Sequence, residues 1–128
     1  MIDGVNKVIA HFEDQRKAKA FWTETIGFSL YRDFGDCPGT NWVELATPDN
    51  RSGFVLARKG RPIPYSPPTL RNVSFYATDL QETYEDLRSR GVRFTEDGVT
   101  LQTWGPSAIF FDHEGNAYNI SERGEFVD

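Results

Sequence analysis

FEDQRKAKAFWTETIGF, residues Phe12 to Phe28, and ATDLQETYEDLRSRGVRF, residues Ala77 to Phe94, carry nearly the same instruction twice. Each stretch opens at an acidic turn, Asp14 or Asp79, continues as an amphipathic helix, and closes at a glycine, Gly27 or Gly91. The two copies stand about 65 residues apart, half the chain, which is the signature of a duplicated module. A duplicated half-domain is expected to form a site between its halves.

Working outward from the first copy, Val5 to Phe12 reads as a strand, with Val8, Ala10 and Phe12 on one face and Lys7 and His11 on the other. Asp14 caps the following helix, in which Ala18, Phe21, Trp22, Thr25 and Ile26 recur at helical spacing and Gly27 suits a left-handed terminus. Strands are expected at Phe28 to Phe34, Asn41 to Thr47 and Gly53 to Arg58, so the first half reads β-α-β-β-β. The proline-dense segment Gly60 to Pro68, GRPIPYSPP, fixes extended backbone and removes donors, as a connection does. Around the second copy the order repeats. Arg71 to Ala77 is a strand, and Leu80 to Arg90 is a helix with Leu80, Tyr84 and Leu87 as its buried stripe. The helix start has capping-box spacing, Thr78 with Gln81 or Asp79 with Glu82. Strands follow at Val92 to Thr95, Pro106 to Phe111 and Asn116 to Ser121, the last two joined by the turn Asp112 to Asn116 with Gly115 at its positive-φ position. The expected organisation is one domain over residues 1–128, made of a module at 1–59, a connection at 60–68 and a module at 69–128.

With 128 residues the chain can bury one substantial core, while two independent halves would be marginal. The net charge of -5 argues against nucleic acid as a partner, since phosphates call for a basic surface. Cys37 is the sole cysteine, so no intrachain disulfide forms and a cytoplasmic setting is expected. The amino-terminal stretch MIDGVNKVIAHFED has neither a long apolar run nor a cleavage pattern, so no signal peptide and no membrane partner are expected.

The blocks AKAFWTETIGF, ATDLQETYEDLRSRGVRF, TWGPSAIFFD and DHEGNAYNI, in that order, resemble the vicinal oxygen chelate superfamily, which includes glyoxalase I, extradiol dioxygenases and bleomycin-resistance proteins. The resemblance runs from about Val5 to Arg123. It implies an α+β fold of two tandem β-α-β-β-β modules whose curved mixed sheets enclose a cleft, commonly in a homodimer. This scaffold hosts several chemistries and also simple binding, so fold alone does not fix function.

The resemblance also implies where a metal would sit. Metal-dependent members place a ligand seven residues before the aspartate that opens each helix, which here gives Lys7 and Asn72. The carboxylate seven residues after the aspartate of the last turn corresponds to Asn119, and the fourth position falls at Leu56 or its neighbour Val55. An ammonium repels a divalent cation, an alkyl chain offers it nothing, and two neutral amides lack the anionic partners it needs. No metal and no cofactor is therefore expected. His11 is expected near the sheet rim as a surface or partly packed histidine, His113 as a solvated turn residue, and Cys37, beside Asp36 in a loop, as incidental.

Strand alternation gathers the candidate ligand-binding residues: Lys7, Trp42, Glu44, Leu56, Asn72, Ser74, Tyr76, Phe110 and Asn119, with Trp104 placed to close over them. Phe54 is expected on the same side. Aromatic walls with a few amides and hydroxyls are the usual build of a small-molecule site, and a Lys7–Glu44 pair is expected within it. The leading expectation is a metal-independent protein that binds an aromatic or polar small molecule. A glyoxalase-like lyase or extradiol-type dioxygenase with an atypical metal site is the alternative, and metal-free catalysis with Glu44 as base is a third.

Overall fold

Asp14 and Asp79 end a strand and start a helix in nearly identical backbone geometry, φ -120° and ψ 99° at one, φ -126° and ψ 99° at the other. The carboxylate of Asp14 accepts a hydrogen bond from the Lys17 amide at 3.0 Å, and that of Asp79 accepts one from the Glu82 amide at 3.1 Å. Each satisfies a helix-end donor that would otherwise have no partner. At the far ends Gly27 and Gly91 adopt φ 99° and 88°, where a side chain would be strained. The repeat legible in sequence is thus a repeat in structure.

The computed structural model describes residues 1–34, 42–58, 73–103 and 105–122. The chain divides into two compact units, Met1–Leu70 and Arg71–Asp128. In the first unit the order is β1 (Lys7–Phe12), α1 (Gln15–Ala20), a π-turn (Phe21–Thr25), β2 (Ser29–Phe34), β3 (Trp42–Ala46) and β4 (Gly53–Arg58). In the second it is β5 (Ser74–Ala77), α2 (Leu80–Ser89), β6 (Arg93–Phe94), β7 (Thr100–Gln102), β8 (Gly105–Phe111) and β9 (Ala117–Glu122). The strands are arranged alike, β1-β4-β3-β2 and β5-β9-β8-β6. In each unit the first and last strands run parallel and the remaining pairs are antiparallel.

Helix and sheet meet on an aromatic core in each unit. Trp22 is fully buried, with ring centroids 4.6 Å from Phe54 and 5.6 Å from Phe28. The helix widens to bring it there: Ile26 and Gly27 donate their amides five residues back, to Phe21 and Trp22, at 3.0 and 3.1 Å. In the second unit Tyr118 stacks on Phe110 at 5.4 Å, Phe75 lies about 6 Å from both, and Tyr84 of α2 meets Phe94 edge-on at 4.6 Å. Such aromatic pairs add to the burial of their area. The turn before β9 is wired by the buried Asp112, which accepts from the amides of Glu114 and Asn116, the Asn116 side chain and the Tyr118 hydroxyl at 2.7–3.2 Å.

Two features depart from the sequence expectation. The helix after Asp14 is a short α-helix continued by a π-turn. The segment Glu96 to Thr103 contributes β7, so β6 and β7 lie end to end along the same edge of β8. Between them the chain leaves the sheet after Thr95, whose amide still bonds the Ile109 carbonyl at 3.1 Å, and returns at Thr100 opposite Ser107. In the first unit the matching edge strand β2 has only a local bulge between Leu30 and Arg32. Among the described residues no helix is long and apolar enough to cross a membrane. The proline-dense connection at 60–68 and the loop with Asp36 and Cys37 lie outside the described residues.

Candidate functional site

Pairing fixes which side of each sheet a residue occupies, because side chains alternate with a period of two. In the first unit Lys7, Ile9 and His11 of β1 register with Gly53, Val55 and Ala57 of β4, and Glu44 of β3 registers with Val55. Trp42 lies two residues before Glu44 and shares its side. On this face Glu44 Oε1 accepts from Trp42 Nε1 at 2.9 Å and from Lys7 Nζ at 3.3 Å. The Lys7 ammonium also stands 5.1 Å from the centre of the Trp42 ring. Glu44 is 7% exposed, and its second carboxylate oxygen is directed over Gly53. Val55 and Ala57 form a buried apolar floor against which Ile9 and Trp42 pack. The neighbouring Arg32 is held above its ordinary pKa, first by the hydrogen bond with the Tyr31 hydroxyl and to a smaller extent by Glu44.

Two predicted pocket residues lie on the opposite side. Leu56 registers with Ala10 and Val43, is fully buried on the side that faces the helix, and offers its carbonyl to the Gln15 side chain at 2.8 Å. Phe54 lies on that side as well, against Trp22. A shift of one residue inverts a strand's faces, and Val55 is the residue of this pair that joins Lys7 and Glu44. Phe110 also lies on the side turned towards the core. It registers with Tyr118, is 2% exposed, and belongs to the aromatic core described above. His11, expected near the rim, is 1% exposed, and His113 is half-buried with Nε2 3.2 Å from the Glu114 carboxylate.

The corresponding face of the second unit is a hydroxyl and amide network. Ser74 registers with Asn119 and Tyr76 with Ser121, while β8 brings Ser107 opposite Ser121 and Ile109 opposite Asn119. Asn119 donates its side-chain amide to Ser74 at 2.7 Å and to Ser121 at 2.8 Å, and accepts from the Ser107 hydroxyl at 2.6 Å. Ser107 is 5% exposed, and Tyr76 is partly exposed on the same side. A cavity of about 320 Å³ opens beside this network, lined by Thr95, Asp97, Thr100, Gln102, Ser107 and Asn119 among others. A second cavity of similar volume lies between α1 and the sheet of the first unit, near the Lys19–Asp33 ion pair at 2.6 Å.

Sequence reasoning brought together Lys7, Trp42 and Glu44 in one unit and Ser74, Tyr76 and Asn119 in the other. Asn72 and Trp104 lie outside the described residues. Ser107 and Ser121 were missed, although Ser107 is the one hydroxyl in the otherwise apolar β8 and Ser121 lies two residues after Asn119 on the same side of β9. Gly53 was read only as a strand end, whereas it makes room for a carboxylate.

A divalent cation does not fit the residues at the positions where metal-dependent relatives hold one. Lys7 is a cation tied to Glu44, Val55 is an alkyl group, and the Asn119 amide is committed to three serines. Among the described residues no group of three or more His, Cys, Asp or Glu side chains could hold a metal. The face of the first unit offers a paired carboxylate, an ammonium and an indole ring, and that of the second a network of hydroxyls and an amide.

Comparison with known proteins agrees with this architecture. The family described as Glyoxalase/Bleomycin resistance protein/Dioxygenase superfamily matches residues 4–120. The uncharacterized protein YetH of Bacillus subtilis (strain 168) is 31% identical over 122 residues, covering 95% of this chain and all of that protein. Among solved structures, TnmS3, an antibiotic binding protein from Streptomyces sp. CB03234, is 30% identical with a TM-score of 0.78, covering 96% of this chain and 98% of its own. A superfamily member from Sphaerobacter thermophilus DSM 20745 is 26% identical with a TM-score of 0.77, covering 95% and 98% of the two chains.

Proposed function

We propose, given that the chain belongs to the Glyoxalase/Bleomycin resistance protein/Dioxygenase superfamily, that it is a metal-independent protein that binds an aromatic or polar small molecule. One observation supports this reading: the positions to which the resemblance would assign a metal, Lys7, Asn72, Asn119 and Leu56 or Val55, carry no carboxylate, imidazole or thiolate, and Lys7 and Asn119 are already engaged in side-chain contacts. The likeness to TnmS3, an antibiotic binding protein, supports binding as the role. On the first unit Trp42 supplies a flat apolar wall and Lys7 a point charge for a carboxylate or phosphate, and on the second Ser74, Tyr76 and Asn119 supply a polar face. Asn72 and Trp104 complete the proposed set. We place this activity in a cytoplasmic homodimer.

Elemental analysis of protein purified without chelator or affinity metal tests the first half of this reading, with substoichiometric zinc, nickel, manganese and iron expected. One tightly held metal per chain with measurable lyase or dioxygenase turnover would overturn it. The second half is read by a thermal-shift screen of aromatic and planar compounds against the parent, Lys7→Ala and Asn119→Ala. Compounds that stabilise the parent are expected to lose most of their effect on the variants, since stabilisation tracks affinity for the folded state. Equal stabilisation of all three proteins would remove these residues from the site.

A further inference from the structure

The two units share one strand plan and differ most clearly at a single edge. In the second unit the edge strand breaks after Thr95, detours, and resumes as β7 at Thr100, whereas β2 of the first unit runs through with a local bulge. The detour is a built turn. Gly98 donates its amide to the Thr95 carbonyl at 3.0 Å and holds φ 59°, and a side chain added there would come within 2.9 Å of the Tyr84 hydroxyl. Its inner side and β8 border the open-mouthed cavity of about 320 Å³.

The chemistry of that cavity is narrow. Thr95, Thr100 and Ser107 present hydroxyls, Gln102 an amide whose nitrogen also bonds the Thr100 hydroxyl at 2.8 Å, and Asp97 the one charge, while Ile109 adds a partly exposed apolar plate and Asn119, its amide held by three serines, backs the floor. Among the described residues, no lysine, arginine or histidine lines it, so a phosphate or carboxylate would find no countercharge. A single carboxylate cannot hold a hard cation either. The floor is pre-organised, because Ser107 is almost wholly buried and fixed by Asn119 at 2.6 Å, which in turn is fixed by Ser74 and Ser121. Mixed donors and acceptors around an apolar plate match a ring that carries hydroxyls on its edge and C–H bonds on its face.

We propose that this cavity is a subsite for an uncharged, hydroxyl-rich group, a sugar or polyol ring, either free or borne by a larger aromatic ligand. The proposal rests on the reading of the chain as a small-molecule binder and adds the chemistry of one part of the ligand. Asp97 and Gln102 grip ring hydroxyls, Ser107 sits at the base, and Ile109 covers one ring face.

The test is amide-resolved NMR of the whole chain titrated with methyl and phenyl glycosides of glucose, galactose and mannose, with glucose 6-phosphate as the charged control. Saturable shifts are expected at Thr100, Gln102, Ser107, Ile109 and Asn119 for at least one neutral glycoside, with weaker response to the phosphate. Tighter binding of the phenyl than the methyl glycoside identifies the sugar as a substituent of an aromatic ligand, and equal binding identifies the free sugar or polyol. Thr95→Val with Gln102→Ala should cut that affinity at least tenfold while the spectrum keeps its native dispersion. No saturable shift with any neutral glycoside, or a stronger response to the phosphate, overturns the subsite. Indole fluorescence of the parent with the aromatic panel reads the broader binding function separately, so a protein that binds aromatic compounds but no glycoside loses only this inference.

Discussion

Glu44 lies over Gly53. A methyl group on that glycine would come within 2.9 Å of Glu44 Oε2 and 3.2 Å of the Lys7 β-carbon. The carboxylate end can swing away, but the Lys7 β-carbon is fixed by the backbone of β1. Gly53→Ala is therefore expected to cost about 1 kcal/mol, at the low end of overpacking effects, in urea unfolding. It should also change the emission of Trp42, whose indole N–H bonds the displaced carboxylate. Unchanged stability and emission would mean that Glu44 does not need the space.

Lys7 and Glu44 form a pair in which removing one member harms more than removing both. Lys7→Met leaves a nearly buried carboxylate that, among the described residues, keeps the Trp42 donor alone on that oxygen, at an expected cost of about 1–3 kcal/mol. Glu44→Gln in the same chain should recover part of that loss, and the double-mutant cycle measures the coupling directly. Additive effects would show that the two side chains act independently.

The reassigned faces make a test of their own. Leu56→Ala and Phe110→Leu remove packing on the side of each sheet turned from the proposed ligand. Both should lower stability, by about 2–5 kcal/mol for the first and 1–3 kcal/mol for the second, with little change in ligand affinity at a temperature where both are folded. A large affinity loss in either would put that residue back in the site.

The paired helix caps should weigh alike. Asp14→Ala and Asp79→Ala each remove one side-chain hydrogen bond to a helix amide at 3.0 and 3.1 Å. Each is expected to cost about 1 kcal/mol in chemical unfolding. Asp→Asn at either position should restore most of it, since the amide oxygen accepts the same bond.

The fold was legible because its signals are local. An acidic cap, a helical stripe and a closing glycine are written within single stretches, and Asp14, Gly27, Asp79 and Gly91 each do in the structure what their types demand. The superfamily could be read from blocks for the same reason. The candidate site was less legible, because assigning a strand residue to a face requires its register to within one residue, and no aspartate ruler reaches the strand Gly53 to Arg58, where the reading fell on Leu56 rather than its neighbour Val55. Phe110 failed differently: aromatic residues occupy both positions 110 and 111, so alternation gives no preferred side. The π-turn and the detour before β7 depend on packing of Trp22 and on a turn at Gly98, which no hydrophobic period announces. His11 looked like a rim residue because its burial is set by tertiary surroundings rather than by its place in β1.

The parallel pairing of β1 with β4, and of β5 with β9, also orders events in time. Lys7 has its sheet partner at Gly53 and Ser74 has its partner at Asn119, so the opening strand of each unit must wait for the last to be made. The later strands, three in the first unit and four in the second, pair antiparallel along β3 or β8 and can assemble from nearby chain. The long-range closure comes afterwards and carries the loop entropy. During synthesis β1 thus remains an unpaired edge until β4 has emerged, and the Lys7–Glu44 contact becomes a marker of completed closure as much as a feature of the native face.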